Sequence, residues 1–219
     1  MPTLINENGT YVLHLGVDAN EFTQAWLSEL EESLNTVVAT PAPLVTIAEG
    51  KSYSNGLDLE WMNANPGEMS AYVGRVQALF ARVLTLPVPT VAAISGHALG
   101  AGAMLAMAHD WRVMRDDRGY LCFPEVDIRI PFTSGMAALI QSKLTPRAAL
   151  DAMSTGYRYG GQEALDAGLV DDIAAEADLL ETARKRVAGL TGKHPGTLGA
   201  IKSMMYAQVV LRLNEPIGV

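Results

Sequence analysis

The chain has 219 residues, 49% of them hydrophobic and 18% charged, with a formal net charge of −8. That composition describes a folded core rather than a disordered chain, in one domain with little room for a second. The acidic balance speaks against a broad electrostatic grip on nucleic acid or an anionic membrane, and no apolar run reaches the ~18 residues that span a bilayer.

Tyr11 to Val17 alternates as a strand does, and Asn20 to Val38 is helical in period, with Phe22, Trp26, Leu30 and Leu34 on one face. Leu44 to Ala48 reads as a short strand stopped by Glu49-Gly50. After the segment SYSNGLDLEWM (52–62), a short helix is expected near Leu59 to Asn63 and a longer one from Glu68 to Leu86. Pro87 and Pro89 close that helix and open a strand over Thr90 to Ile94. The segment SGHALGAGAML (95–105) runs into a small-residue helix at Ala101 to Ala108, and Trp111 to Met114 is a further strand. Beyond Thr133 the pattern is helical over roughly 133–142, 145–154, 161–167, 176–190 and 196–212, broken by one strand near Leu169 to Asp172. Strands alternating with helices, then helices alone, predict a single α/β domain over 1–219, with an α/β core over 1–142 and a mainly helical region over 143–219.

A lone cysteine, Cys122, has no partner for an internal disulfide, which fits a reducing compartment, and it reads as a small buried apolar residue. The opening MPTLINENGTY lacks the positive flank and apolar stretch of a signal peptide, and the closing NEPIGV carries no peroxisomal address. The expectation is a cytoplasmic protein with no nucleic-acid or membrane partner.

The chemistry is concentrated in two glycine-bearing segments and one glutamate. Each segment follows an apolar, β-branched run and leads into a helix, so backbone N–H groups from two helix starts can converge on one oxygen. In the first, Asn55-Gly56 is a turn signal and Asp58 is placed to cap the following helix; an ordinary connector is the plain alternative. In the second, Gly96, Gly100 and Gly102 with Ala98, Ala101 and Ala103 strip the backbone of bulk, which suits close approach of a ligand or close helix–sheet packing. A dinucleotide fingerprint fails there, because Leu105 stands where the third glycine would be. No nucleophile elbow, Walker loop, zinc pair or cysteine cluster occurs, and no metal site is expected. Glu125, in CFPEVDIRIP, sits between Phe123-Pro124 and the apolar Val126, Ile128 and Ile130, which suggests a pocket that would raise its pKa.

Taken together, SYSNGLDL, GHALGAG, FPEVDI and the downstream GQEALDAGLVDDI closely resemble the crotonase superfamily, the enoyl-CoA hydratase/isomerase family, from about Tyr11 to Val187. The resemblance implies a ClpP/crotonase-like spiral of ββα units with a C-terminal helical region, assembled as a homotrimer or a dimer of trimers. It implies an acyl-CoA thioester as substrate and no separate cofactor, since CoA is part of the substrate. By the same resemblance, the N–H groups of Leu57 and Ala101 hold the thioester oxygen, and Ser54, Asn55, Gly56 and Gly100 around them belong to the substrate site. Lys51 is a candidate contact for a CoA phosphate, and Trp61, Met62, Met104 and Phe132 are candidates for the acyl pocket, with ordinary core packing as the alternative.

Hydratases of the family use two glutamates; here the first position is Met104, which cannot transfer a proton, and the second is Glu125. One carboxylate that takes a proton from C2 and returns it at C4 performs a 3-enoyl to 2-enoyl shift, and this pattern resembles Δ3,Δ2-enoyl-CoA isomerases. The stretch HDWRVMRDDRGYLCFPEVDI looks like the short isomerases of the group, including plant peroxisomal ones. The alternatives left open are another acyl-CoA enolate reaction, such as weak hydration or decarboxylation, and a non-catalytic acyl-CoA-binding subunit. Asp127 is a candidate second acid but reads better as a helix-start or loop residue, and His97 and His109 read as packing or hydrogen-bonding groups.

Overall fold

A computed structural model describes residues 1–217. The chain starts with a hairpin, β1 (Thr3–Glu7) and β2 (Thr10–His14), turned by Asn8 and Gly9, both at positive φ as a tight two-residue turn demands. Helix α1 (Gln24–Ala39) begins later than its period predicts, because Thr23 caps it through its hydroxyl and Asn20 sits at φ +50°.

Three ββα turns follow. In each, the first strand enters a large sheet, the second enters a small one, and a helix returns. The first turn is β3 (Leu44–Ile47), β4 (Ser52–Ser54), α2 (Leu59–Ala64) and α3 (Met69–Leu84), with a 3₁₀ turn at Pro66–Glu68 joining the two helices. The second is β5 (Thr90–Ile94), β6 (His97–Leu99) and α4 (Ala101–Ala108). The third is β7 (Trp111–Arg115), β8 (Leu121–Cys122) and the four-residue α5 (Glu125–Ile128). Helices α6 (Ser134–Lys143), α7 (Pro146–Thr155) and α8 (Gly161–Asp166) come next, then β9 (Asp172–Ala174), α9 (Leu179–Ala188), α10 (Pro195–Met205) and α11 (Ala207–Leu213). The large sheet runs β1-β2-β3-β5-β7-β9, parallel except for the first hairpin; the small one runs β4-β6-β8, all parallel.

The sequence reading missed the small sheet, β1 and α5. Strands of two or three residues carry no periodicity, so 52–54 and 97–99 looked like loops. The expected single helix over 196–212 is two helices that break at Tyr206.

Both faces of the large sheet are covered. Val45, Val91, Ala93 and Val113 pack against Leu179, Ala183 and Val187 of α9, while the other face joins the main core with α1, α3 and α4. This explains the unbroken burial of β5. Helix α4 is buried at all eight residues, as a helix apolar all round must be. The C-terminal helices are tied in by a buried ion pair, in which Lys202 Nζ donates to Asp110 Oδ2 at 2.6 Å and to the Val88 carbonyl at 2.7 Å. Replacing Lys202 with Met leaves the mostly buried Asp110 charge without its cation. The expected cost is about 3–5 kcal/mol, read as a lower denaturation midpoint.

Candidate active site

Each glycine-bearing segment is a strand of the small sheet followed by a helix start, and the parallel pairing of β4 with β6 sets the two turns side by side. Their approach is closer than any side chain permits. A Cβ on Gly56 would lie 2.8 Å from the Gly102 nitrogen and 2.9 Å from that of Ala101; one on Gly102 would lie 2.2 Å from the Ser54 carbonyl oxygen. Gly56 and Gly100 also hold φ of +83° and +50°, backbone that glycine adopts without penalty.

The first turn is held from behind. Asn20 donates through Nδ2 to the Ser52 and Tyr53 carbonyls, and its own carbonyl accepts from Ser54 Oγ at 2.7 Å. Ser54 Oγ in turn accepts the Gly56 N–H at 3.0 Å. The Asn55 N–H reaches the Ala19 carbonyl, and Asp58 caps α2 through the Trp61 N–H. Among the described residues, neither the Leu57 nor the Ala101 N–H has a protein acceptor. Both residues line the same cavity of about 210 Å³.

Glu125 opens α5 at the end of β8, the third strand of the small sheet. Its Oε1 would be 3.3 Å from a Cβ on Gly100, so the carboxylate lies against the second turn. The residue is 9% exposed, and Oε2 is buried with no hydrogen-bond partner among the described residues. Burial pushes its pKa up to about 7, against a smaller opposing pull from its own backbone N–H. A carboxyl group acts as a base only when ionised. A reaction that used Glu125 as its base would show kcat/KM rising with pH through about 7 and levelling off above it, falling about tenfold per pH unit on the acid side.

The cavity gathers Asn55, Leu57, Gly100, Ala101, Met104, Glu125 and Phe132 from the residues singled out in the sequence. It does not gather Lys51, Ser54, Gly56, Trp61 or Met62. Ser54 and Gly56 are buried and serve to shape the turn. Trp61 lies on the Tyr72 ring at 5.1 Å, and Met62 packs into the core, because α2 turns that face inward. Lys51 is exposed ahead of β4. Leu59, Leu99, Pro131 and Met136 complete the wall without a sequence signal, since their place depends on how the turns pack. Ile128 and Ile130 line the cavity, whereas Val126 is half exposed and does not.

The remaining candidates fall outside it. The Asp127 carboxylate packs on Gly156, where a Cβ would stand 2.3 Å from Oδ2. His109 is fully buried, bonded to the Leu105 carbonyl and to Thr46 Oγ1, and burial pushes its pKa down to about 3. The His97 ring rests on Tyr120 at 4.1 Å. Cys122 is buried and its thiol is pushed up to about 11. No cluster of metal-ligating side chains and no helix long and apolar enough to cross a membrane occurs among the described residues.

The family model for enoyl-CoA hydratase/isomerase matches residues 11–218. The peroxisomal enoyl-CoA delta isomerase 1 of Arabidopsis thaliana is 32% identical over 192 residues, 84% of this chain and 80% of that one. A probable enoyl-CoA hydratase of Bacillus subtilis is 33% identical over 198 residues, 88% and 76% of the two chains. The crystal structure of human mitochondrial delta3-delta2-enoyl-CoA isomerase superposes with a TM-score of 0.89 at 23% identity, covering 97% of this chain and 85% of that one, which establishes the shared fold. With its ββα spiral and its two facing turns, the chain belongs to the enoyl-CoA hydratase/isomerase family.

Proposed function

We propose that the protein isomerises 3-enoyl-CoA to trans-2-enoyl-CoA. One observation carries the reading: of the described residues lining the cavity, Glu125 alone can titrate, and Met104, which the family resemblance sets at the position of a hydratase's second acid, lines the same cavity. The Glu125 carboxylate takes a proton from C2 of the substrate. The C–H electrons move into the thioester, and the resulting enolate oxygen accepts hydrogen bonds from the Leu57 and Ala101 N–H groups. Glu125, now a carboxylic acid, gives the proton back at C4 as the double bond moves to C2–C3. Neither water nor a redox partner enters the balance, and no cofactor beyond the CoA of the substrate is required. The burial that lifts Glu125 toward neutrality suits a group that must both accept and release a proton.

The test is a pair of substrates. With a 3-enoyl-CoA, absorbance of the conjugated thioester is expected to rise; with a trans-2-enoyl-CoA, it is expected to hold steady. Loss of absorbance with the second and no gain with the first would make the protein a hydratase. Binding without turnover of either would make it an acyl-CoA-binding subunit.

Self-association as a trimer or a dimer of trimers belongs to the same proposal. It is supported by the bare apolar face of α10 and α11, where Ile201, Met204, Met205 and Leu211 are 50%, 82%, 67% and 59% exposed beside a groove of about 450 Å³. The compartment we assign is the cytoplasm, in keeping with a single buried cysteine.

A further inference from the structure

We infer that Tyr72 is a positioning residue for the reaction: its buried hydroxyl fixes the direction in which the Leu57 N–H points. This rests on the oxyanion role proposed for Leu57. Tyr72 lies on α3, outside the cavity, and its side chain is 2% exposed. Its hydroxyl accepts the Asp58 N–H at 2.9 Å and donates to the Phe22 carbonyl at 2.9 Å. Phe22 in turn donates its N–H to the Gly56 carbonyl at 2.8 Å.

The consequence follows from peptide geometry. The Gly56 carbonyl and the Leu57 N–H belong to one planar trans unit, so they point in opposite directions. Holding that carbonyl on Phe22 aims the Leu57 N–H away from Phe22, toward the cavity. The next amide, Asp58, is held by the same Tyr72 hydroxyl, which also anchors Phe22. A single oxygen thus closes a ring of contacts through Phe22, Gly56, Leu57 and Asp58, and Leu57 is the one amide from Asn55 to Asp58 with no acceptor among the described residues. Burial raises the Tyr72 pKa to about 12, so the hydroxyl stays neutral and keeps both its donor and its acceptor at working pH.

Tyr72→Phe keeps the ring and removes only this oxygen. Since an oxyanion donor acts mainly in the transition state, kcat should fall about 10–100-fold while KM moves less than about threefold. A matched control is Tyr53→Phe, which also deletes a buried phenol hydroxyl, one bonded at 2.8 Å to Thr46 Oγ1 and not to the turn. That variant should lose stability and keep kcat. A second readout needs no turnover: binding of saturated butanoyl-CoA should shift the Leu57 amide proton downfield in the wild type and shift it less in Tyr72→Phe. If Tyr72→Phe retains kcat within about twofold, if Tyr53→Phe loses kcat equally, or if the amide shift is unchanged, Tyr72 is structural only. A wild-type protein without isomerase turnover would instead refute the reaction, and the amide shift would still decide the aim of Leu57.

Discussion

Glu125→Gln is expected to lower isomerase kcat by about 10³–10⁴-fold while binding of a saturated acyl-CoA stays within about threefold. The side chain keeps its size and its place against Gly100, and both backbone donors remain. What disappears is the one titratable group among the described residues lining the cavity, the group proposed to carry a proton from C2 to C4. A wild-type rate in this variant would sink the assignment of Glu125. The same substitution makes a thermodynamic prediction of opposite sign. The folded-state pKa of Glu125 is raised from 4.5 to about 7, so native protein holds this proton across that window and unfolded chain does not. Its contribution is therefore favourable below 4.5, is lost as pH rises through about 7, and stays lost above. A neutral Gln escapes that loss. Above pH 8 the variant should be more stable than the wild type by on the order of 2–3 kcal/mol, and the gain should vanish at low pH.

Gly56→Ala should cost about 10²–10³ in kcat through the other half of the site, the equivalent of losing one oxyanion donor. Its Cβ has no room, because it faces the nitrogens of Ala101 and Gly102 and the Leu99 carbonyl at 2.8–2.9 Å, all backbone. The two turns must separate, and with them the Leu57 and Ala101 N–H groups. The positive φ adds strain of its own, so a control is needed that carries strain alone. Gly9→Ala supplies it, with φ +80° in the first hairpin and open space around the added carbon. Gly9→Ala should lower the melting temperature and leave kcat unchanged; equal losses of kcat in both variants would mean that the turns do not need their close contact.

The long strands and helices were legible because they follow local rules. Thr90–Ile94 and Ala101–Ala108 match their expected bounds, and Trp111–Arg115 differs by one residue, since proline breaks, β-branching and small-residue runs act within a few residues. The first hairpin carried a legible signal in Asn8-Gly9 that the reading passed over. The members of the cavity that the sequence marked, Asn55, Leu57, Gly100, Ala101, Met104, Glu125 and Phe132, each sit in or beside a motif. Trp61 and Met62, which the sequence left between the acyl pocket and the core, lie on a helix whose inward face depends on Tyr72 and the core beneath it.

The sequence by itself determined the family and the two turns and marked Glu125 for the site, because glycine, proline and a glutamate in motif spacing have local meaning. Tertiary structure alone decided that Ser52–Ser54, His97–Leu99 and Leu121–Cys122 pair into one small sheet, whose strands are too short to announce themselves. It decided how deeply Glu125 is buried, and so how far its pKa rises. It also decided where the Leu57 N–H points, through contacts that join Tyr72 to Asp58 14 positions away and to Phe22 50 positions away. A backbone amide carries no side-chain signature; its direction is set by whatever holds the carbonyl on the far side of its peptide bond.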